Sequence, residues 1–344
     1  MNILELTFTD FEKQIKARYG RGSFHASAAY KHFYRTGRTD FSALPEFQAS
    51  PGLAQAMEAD LVIAAGKVHE KHREDDVIKF VTRLSDGLEI ESVIIPMTGR
   101  TSLCVSCQVG CRMGCRFCET GRMGLIRNLT AAEIVGQVIA ARNELGRDIR
   151  NVVFMGMGEA FDNFDAVVQA VRVMNDPRGL NIAYRYITLS TAGLIDGIEK
   201  LAALHPFRPN LGVSLNASSD ALRSKLMPIN EKHSMQRLRA GLMAFPLKKY
   251  EKFMITYVLI EGYNNQPEHA RELAEYLAPI RAEVNVIAYN PVSERDFLPP
   301  DEAAVERFCE LLASEGVIAR KRPARGRTIL GACGQLGNRH LTGC

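Results

Sequence analysis

The sequence lacks any apolar segment that approaches the roughly 20 residues a helix needs to cross a lipid bilayer. Its opening stretch, MNILELTFTDFEKQ, carries acidic residues early and has no apolar core of the kind that secretory signals use. Internal repeats and low-complexity tracts are also missing. These absences argue against a membrane or secreted protein, and we expect a cytoplasmic protein with no membrane partner.

A strong charge of either sign is absent as well. The formal net charge is +4 and the isoelectric point is near 8.6, a balance that permits a nucleic-acid partner without requiring one. The 344 residues are 46% hydrophobic and 24% charged, which allows one large core or two domains. Composition alone therefore leaves the function open.

Among the residue types, cysteine gives the first specific indication of what the protein does. Five of the eight cysteines fall within fifteen residues: Cys104, Cys107, Cys111, Cys115 and Cys118. In a cytoplasmic chain such a cluster indicates metal or redox chemistry rather than a disulfide framework.

The chain divides by pattern into three segments. Residues 1–58 have helical character, with breaks at Pro45 and Pro51. Residues 59–96 contain the β-branched runs DLVIAAGKV, DVIKFVTRL and EIESVIIP, which predict a small antiparallel β extension. From residue 97 to 344, strand-like and helix-like runs alternate.

Five strands are predicted in the third segment: NVVFMG (151–156), YRYITLS (184–190), LGVSLNA (211–217), FMITYVLI (253–260) and VNVIAYN (284–290). The helices around them are AAEIVGQVIAARNEL, FDAVVQAVRVM, DGIEKLAAL, SMQRLRAGLMAF and PEHARELAEYL. This alternation predicts an α/β fold with a parallel sheet, open or curled into a barrel. Because active sites of such folds lie at the carboxyl ends of the strands, we expect functional residues directly after each strand.

Three of the clustered cysteines have the spacing of an iron–sulfur motif. Cys111, Cys115 and Cys118 lie in a glycine-containing loop, QVGCRMGCRFCETG. Three thiolates can hold a 4Fe–4S cubane and leave one iron open, and that iron can chelate S-adenosylmethionine (SAM). The alternatives are unrelated buried thiols or zinc with Cys104 or Cys107 as fourth ligand, although zinc ribbons usually separate their cysteine pairs by more residues.

The motifs around the cysteines resemble those of one enzyme family. RTSLCVSCQVGCRMGCRFCETGRMGLIRNLTAAEIVGQV is followed by VVFMGMGEA, ITLSTAG, VSLNA, MPIN, AYNP and GACGQL. In this order, and with similar gaps, they are similar to motifs of the RlmN/Cfr family of radical SAM enzymes, which methylate an adenine in RNA. The resemblance covers roughly residues 88–336 and implies a partial (β/α)6 radical-SAM barrel.

The resemblance implies a particular reaction and a set of cofactors and partners. The product would be an adenine methylated on a ring carbon, C2 in preference to C8, in rRNA, tRNA or both. The cofactors would be a 4Fe–4S cluster and two SAM molecules per turnover, with an electron donor such as a flavodoxin, and the chain would act as a monomer. A radical route suits an adenine ring carbon because that carbon is a poor nucleophile toward SAM.

Three residues outside the cluster motif would transfer the methyl group in such an enzyme. By resemblance, Cys333 takes a methyl group from one SAM, loses a hydrogen atom from it to the radical of the second, and adds to adenine. Glu91 would remove the ring proton, and Cys104 would attack Cys333, forming a disulfide and releasing the RNA. Because Cys333 lies between Gly331 and Gly334, we expect a mobile loop there.

The resemblance also marks a SAM pocket at the ends of the predicted strands, formed by Gly158, Glu159, Ser190, Ser214, Leu215, Asn216 and Asn290. At each polar position the alternative is a strand-end cap. The chain departs from the family pattern at Ala160, Ala192, Asn216 and Cys107, where Pro, Ser, His and Ser are usual. These departures indicate a divergent paralogue, although Asn216 keeps a hydrogen-bond donor for SAM.

A basic run shortly before Cys333 is a candidate RNA contact. The range 320–327 holds five cations in eight residues, and the track could extend to His69, Lys71, His72 and Arg73. The alternative is a solvated surface. Of the remaining cysteines, we expect Cys107 to be inert or to compete with Cys104 in disulfide exchange, Cys309 to lie in the core, and Cys344 to be incidental.

Two other functions are compatible with the cysteine motif. A radical SAM enzyme acting on a peptide or small molecule would need the cluster but neither Cys104 nor Cys333. A non-enzymatic iron–sulfur or zinc protein that binds RNA would not cleave SAM at all.

Overall fold

The computed structural model describes residues 1–291 and 297–337, and in these ranges strands and helices alternate as the pattern predicts. The strands are β1 (Lys67–Glu74), β2 (Val77–Arg83), β3 (Glu89–Met97), β4 (Arg100–Cys104), β5 (Gln108–Cys111), β6 (Gly124–Asn128), β7 (Ile149–Phe154), β8 (Ile187–Thr191), β9 (Asn210–Ser214), β10 (Phe253–Leu259), β11 (Ala282–Ala288) and β12 (Ala319–Arg322).

The helices cover the predicted amphipathic runs to within a few residues. They are α1 (Phe8–Tyr19), α2 (Ser23–Thr36), α3 (Pro51–Asp60), α4 (Glu119–Arg122), α5 (Ala131–Ile139, continued by a π-helical turn), α6 (Phe164–Asn175), α7 (Ile195–Ala203), α8 (Asp220–Leu226), α9 (Met235–Ala244), α10 (Pro267–Leu277) and α11 (Glu302–Ser314). Local chemistry fixes their starts: Thr130 and Glu133 form a capping box at α5, and Pro267 opens α10. Among the described residues, no helix has the length and apolar character needed to cross a membrane.

Ten of these strands form a single sheet in the order β1-β2-β3-β4-β7-β8-β9-β10-β11-β12. Strands β4 and β7 to β12 run parallel, and a helix follows each of β4 and β7 to β11. Six strand–helix units followed by a last strand confirm the predicted partial (β/α)6 barrel. The carboxyl ends of these parallel strands all lie at one mouth.

The antiparallel extension exists but continues the barrel sheet. Strands β1, β2 and β3 pair antiparallel, and β3 pairs antiparallel with β4. Two strand predictions began too early. Residues 61–66 form only an isolated bridge, from Val62 to Asn2, because Leu61 caps α3. Residues 184–186 make a 3-10 turn with no buried side chain, so β8 begins at Ile187.

The N-terminal helices pack directly on the barrel. Buried side chains of α1 and α2 belong to the same hydrophobic core as those of α5 and α6. Polar contacts add to this packing, since the Phe8 amide donates to the Asp176 carboxylate at 2.6 Å and the Gln169 amide donates to the Glu5 carbonyl at 2.7 Å. The predicted domain boundaries at residues 58 and 96 therefore remain a prediction, because one continuous hydrophobic core extends across them.

A fully buried amide, Gln137 on α5, joins the extension to the barrel mouth. Its Oε1 accepts from the Ser92 hydroxyl and from the Ser106 amide, both at 2.8 Å. Its Nε2 donates to the Ser106 carbonyl at 2.9 Å. Ser106 in turn donates its hydroxyl to the Glu91 carbonyl at 2.6 Å. Because buried polar groups are costly to leave unpaired, this network fixes β3 against the loop that follows β4.

We expect Gln137→Met to lower the free energy of unfolding by about 3 kcal/mol, because the Ser92 hydroxyl and the Ser106 amide would be left buried without partners. Urea denaturation would measure the loss. Gln169→Met is the control: it removes one partly buried hydrogen bond and should cost only about 1 kcal/mol. Equal losses for the two variants would contradict the role of Gln137 as a network centre.

Candidate active site

A β-hairpin inserted after β4 presents the iron–sulfur motif at the barrel mouth. Strands β5 and β6 pair antiparallel, and Gly110, with φ of 76°, lies so close that an added Cβ would stand 1.9 Å from the Gly124 carbonyl oxygen. Only glycine fits both constraints. Gln108 ties the hairpin to the barrel, donating to the Asp162 carboxylate and accepting from the Glu159 amide, both at 2.8 Å.

The three cysteines of the motif lie together in a small apolar cluster. Cys111 is buried, and Cys115 and Cys118 are half-buried, against Phe117 and Met227. Burial raises the pKa of Cys111 to about 12 and raises the pKa of Cys115 and Cys118, and neighbouring thiolates add to the rise because their like charges repel. Three adjacent thiolates are favourable only around a cationic centre, so this set fits a bound metal cluster.

The buried Arg223 supplies a positive charge beside these thiols. Its guanidinium donates to four acceptors, the carbonyls of Leu215, Ala192 and Ser214 and the Asn230 side chain, at 3.1, 2.5, 3.4 and 3.0 Å. Burial lowers its pKa, and the nearby Cys115 opposes that change. A cation held by carbonyls so close to Cys115 is placed to offset negative charge on a cluster.

No three His, Cys, Asp or Glu side chains within residues 1–291 and 297–337 converge as ligands of one ion. A cubane requires a different geometry, because each thiolate binds a separate iron.

Cys333 comes from the far end of the chain to lie beside both Cys104 and the cluster motif. Burial raises the pKa of Cys104, and the next contribution is the charge of Cys333. The protein around Cys333 raises its pKa as well, and there the next contribution is the charge of Cys118. The Cys333 side chain is exposed to solvent. Cys104, Cys118 and Cys333 all carry free thiols.

The loop that carries Cys333 is docked by hydrogen bonds on both sides of the thiol. The Asn290 amide donates to the Cys333 carbonyl at 3.2 Å, and the Glu119 amide donates to the Gly334 carbonyl at 2.8 Å. Thr120 donates its hydroxyl to the Leu336 carbonyl. The structure therefore shows a docked state of the loop that the flanking glycines predicted to be mobile.

Glu91 lies on β3 at the edge of this site and is nearly inaccessible to solvent. Its Oε1 accepts from the Lys79 ammonium at 2.8 Å, with both side chains 8% exposed. Its Oε2 accepts from the Gly337 amide at 2.8 Å. A small cavity of about 270 Å³ opens beside the pair. The ammonium and the amide hold the carboxylate in one orientation, facing the Cys333 loop.

The two predicted SAM residues after β7 have structural contacts of their own. Gly158 has a φ of 104°, and an added Cβ would stand 2.6 Å from Gln108, so the hairpin itself demands glycine. The buried Glu159 carboxylate accepts from the amides of Phe161 and Ala192 at 3.0 and 2.7 Å. Burial nevertheless raises the pKa of Glu159 to about 7, against the effect of these hydrogen bonds. The Thr191 side chain makes a further hydrogen bond to this carboxylate, which leaves acceptor capacity for one donor of a ligand ammonium.

At the ends of β8 and β9 all four predicted SAM residues are buried or half-buried. The hydroxyls of Ser190 and Ser214 lie 3.4 Å apart. Leu215 is fully buried and offers only its backbone. Asn216 has a φ of 59°, and its side chain is used internally, accepting from the Val258 amide at 2.9 Å and donating to the Met227 sulfur at 3.3 Å.

Asn290, after β11, has a buried acceptor that lacks a partner among the described residues. Its Nδ2 donates to Cys333, but its Oδ1 makes no hydrogen bond there. A buried carbonyl of this kind is costly unless a ligand donor satisfies it. Such an acceptor fits a ligand amino group of the kind that SAM carries.

Comparisons with known proteins agree with this geometry. The radical SAM superfamily model matches residues 105–317, a range that contains the cluster motif but neither Cys104 nor Cys333. The chain is 39% identical to the "Probable dual-specificity RNA methyltransferase RlmN 1" of Protochlamydia amoebophila, over 99% of this chain and 95% of the relative. It is 38% identical to the dual-specificity RNA methyltransferase RlmN of Syntrophobacter fumaroxidans, over 97% of each.

A solved structure extends the likeness to three dimensions. The crystal structure of a radical SAM methyltransferase from Sphaerobacter thermophilus superposes with a TM-score of 0.90 at 38% identity, over 98% of this chain and 99% of that one. This chain belongs to the RlmN-type radical SAM RNA methyltransferases. Membership implies a 4Fe–4S cluster and SAM as cofactors.

Two cysteines that the RlmN resemblance left open are placed by the structure. Cys107 is buried and interacts electrostatically with Glu159 and Cys111, on the cluster side of the loop and not with the Cys104–Cys333 pair. Cys309 is half-buried against the core from α11, as expected. Cys344 lies outside the described residues.

Part of the basic run proposed as an RNA contact already has protein partners. Lys321 pairs with Glu302 and Glu306 of α11, and Arg322 donates to the Asn285 side chain at 2.7 Å. On β1, His69 pairs with Glu89 at 2.5 Å. Of the predicted track, Arg320, Arg325, Arg327, Lys71 and Arg73 stay exposed.

Sequence reasoning missed Arg223 and Lys79 at this RlmN-type site. Lys79 gave a weak signal, since it shares the inward face of β2 with Val77 and Val81 and a charged residue there needs a buried partner. Arg223 precedes the MPIN motif within a polar helix, α8, where nothing local distinguishes a buried arginine from an exposed one.

We expect the raised pKa of Glu159 to make the stability of the metal-free protein depend on pH. The folded state holds a proton up to about pH 7, whereas the unfolded carboxyl releases it near 4.5. The stabilisation is therefore complete below pH 4.5 and is lost as pH rises through 7, by up to about 3 kcal/mol. Urea unfolding between pH 5 and 8 should show this slope, and Glu159→Gln should flatten it.

The control for this experiment is Glu199→Gln, which removes an exposed carboxylate from α7 and should leave the wild-type slope intact. A Glu159→Gln protein with an unchanged slope would rule out Glu159 as its source.

Proposed function

We propose that this enzyme methylates a ring carbon of an adenine in RNA, C2 in preference to C8, with Cys333 as the methyl carrier. The observation that carries the proposal is the meeting of Cys333 with Cys104 on one side and Cys118 on the other. A radical enzyme that only abstracted hydrogen would need neither Cys104 nor Cys333. The names of the relatives, dual-specificity RNA methyltransferases, support rRNA, tRNA or both as substrates.

Each residue of the site has a role in this proposal. Cys111, Cys115 and Cys118 would hold the cluster, and Gly158, Glu159, Ser190, Ser214, Leu215, Asn216 and Asn290 would line the SAM pocket. When bound, the cluster and SAM supply a radical that takes a hydrogen atom from a sulfur-bound methyl group. Two SAM molecules are used per turnover, one as methyl donor and one as radical source.

The release step depends on three side chains. Cys333 presents the methyl carbon, as a carbon radical, to the adenine, so that the protein and RNA become covalently joined, and the unpaired electron of this adduct would pass to the bound cluster. Glu91 removes the ring proton, since a carboxylate is a credible base once the adduct has made that proton acidic. The Cys104 thiolate then attacks the Cys333 sulfur: a sulfur–sulfur bond forms, the sulfur–carbon bond breaks, and its electron pair goes to the methylene carbon on the base, which takes up a proton to become the methyl group.

RNA would bind across two basic surfaces. One comprises the exposed cations near the Cys333 loop. The other is a cleft of about 920 Å³ at the amino ends of the parallel strands, lined by the cations Lys31, Arg35, Arg142, Arg147, Arg150 and Arg178. A large folded RNA can reach both ends of the barrel, and phosphate contacts of this kind weaken steeply with salt. The target base must leave its stack to reach the thiols.

The partners follow from the same chemistry. A one-electron donor such as a flavodoxin would reduce the cluster, and thiols kept free in the described chain suit a reducing compartment, the cytoplasm. We propose a monomer, because a single chain supplies every side chain of the site.

We expect the anaerobically purified protein to hold about four irons and four sulfides, because three thiolates and an open iron complete a cubane. Cys111→Ala, Cys115→Ala and Cys118→Ala should each abolish iron binding, measured by metal analysis. The matched control is Cys309→Ala, which removes a half-buried thiol from α11 and should retain iron. Stoichiometric zinc without iron in the wild-type protein would contradict the cluster.

We expect Cys104→Ala to accumulate RNA covalently attached to Cys333, because addition to adenine does not use Cys104 whereas release does. Denaturing gels before and after ribonuclease treatment would detect the conjugate. Cys107→Ala is the control: its thiol faces the cluster side, so this variant should not trap RNA. Normal turnover by Cys104→Ala, with no retained RNA, would refute the proposed release step.

A further inference from the structure

The stretch that carries Cys333 is fastened across the barrel mouth. After β12 ends at Arg322, residues 323–337, the C-terminal strap, leave the last strand of the ten-stranded sheet and return to its first three strands. The strap contacts all three: Glu74 of β1, Lys79 of β2, and Glu91 and Pro96 of β3. The strap thus links the two open edges of the barrel sheet.

Glu74, the last residue of β1, makes the densest of these contacts. Its Oε1 accepts from the Gly326 amide at 2.8 Å, and its Oε2 accepts from the Thr328 amide at 2.7 Å and from the Thr328 hydroxyl. The Thr328 hydroxyl, followed by the strap amides, lowers the pKa of Glu74. Hydrogen bonds to an ionised carboxylate are short and stronger than neutral ones, so this side chain clamps the strap backbone at two points.

The clamp lies directly upstream of the thiol. Four residues separate Thr328 from Cys333, and among them the Leu330 carbonyl accepts from the Lys79 ammonium at 3.4 Å. Beyond the thiol, the Gly337 amide reaches Glu91. Cys333 therefore lies between two parts of the strap that are both hydrogen-bonded to the antiparallel strands. Glu91 belongs to the proposed chemistry and Lys79 is bonded to it, whereas the side-chain hydrogen bonds of Glu74 within the described residues go to the strap.

We propose that Glu74 is a positioning residue for Cys333: by clamping Gly326 and Thr328, it holds the strap so that the methyl-carrier thiol stays between Cys104 and Cys118. The clamp itself is independent of any reaction, and its consequence for methyl transfer rests on the proposed function. Glu74 acts through the strap backbone and touches no reacting atom.

The first test uses the cluster-loaded full chain and needs no RNA. Glu74→Gln replaces one acceptor oxygen by an amide donor, which meets the Thr328 or Gly326 amide unfavourably. We expect trypsin to cut after Arg325 and Arg327 at least tenfold faster in this variant, relative to cutting after the exposed Lys249 as an internal reference. Asp76→Asn is the matched control, because it removes the same charge from the adjacent exposed turn and should change nothing.

The second test reports on the thiol. Under glutathione disulfide, peptide mapping follows the rate at which Cys104 and Cys333 form a disulfide. Because a held thiol has a high effective concentration toward its neighbour, Glu74→Gln should slow this crosslink at least threefold, and Asp76→Asn should not. Loss of folded protein would instead change trypsin cutting at all sites together.

The third test separates positioning from a loss of active molecules. With RNA, SAM and a reductant, the ratio of 5′-deoxyadenosine formed to methylated RNA should rise at least threefold in Glu74→Gln, because a misplaced methyl group wastes radicals. Fewer active molecules would leave that ratio unchanged. Unchanged strap cleavage would overturn the clamp, and faster cleavage with an unchanged crosslink rate and ratio would overturn positioning. Failure of the wild-type protein to methylate RNA would refute the proposed function alone.

Discussion

Cys333 lies near both Cys104 and the cluster motif, and the arrangement of the barrel mouth follows from bringing these distant thiols together. The thiols of the cluster motif are buried or half-buried, whereas Cys333 is exposed to solvent. The cluster-motif thiols and Cys333 can lie at one barrel mouth only if separate parts of the chain carry them. The hairpin after β4 carries the cluster motif, and the strap after β12 carries Cys333. The two ends of the parallel sheet are thereby brought together.

The buried acidic groups at the barrel mouth favour the binding of a positively charged group there. Buried thiols and the buried Glu159 have raised pKa values, because burial disfavours their charged forms. The Arg223 guanidinium, which is held by backbone carbonyls, supplies a positive charge beside these groups. On the opposite wall, the Lys79–Glu91 pair is closed off from solvent, which keeps that carboxylate oriented at the cost of desolvating both charges.

Much of the fold was predictable from the chain. Strand–helix alternation gave the parallel barrel, and the amphipathic runs of α6 and α10 gave their bounds closely. The early starts predicted for β1 and β8 failed because β-branched or aromatic residues there are drawn into a helix cap and a 3-10 turn, where tertiary contacts override β propensity. The antiparallel extension was predicted, but its merger with the barrel sheet was not, because strand pairing across the whole sheet leaves no local signal.

The sequence alone predicts the cluster motif, because Cys111, Cys115 and Cys118 are close enough along the chain for one loop to bring them together. The order of its motifs also predicts the residues that would line the mouth. Tertiary structure alone decided that Cys107 faces the cluster side and not Cys104, that Asn216 turns inward, and that Glu74, Lys79 and Arg223 support the site. The physical reason is distance along the chain: short spacings constrain geometry through the backbone, whereas distant residues meet only where the curled sheet and the returning strap place them.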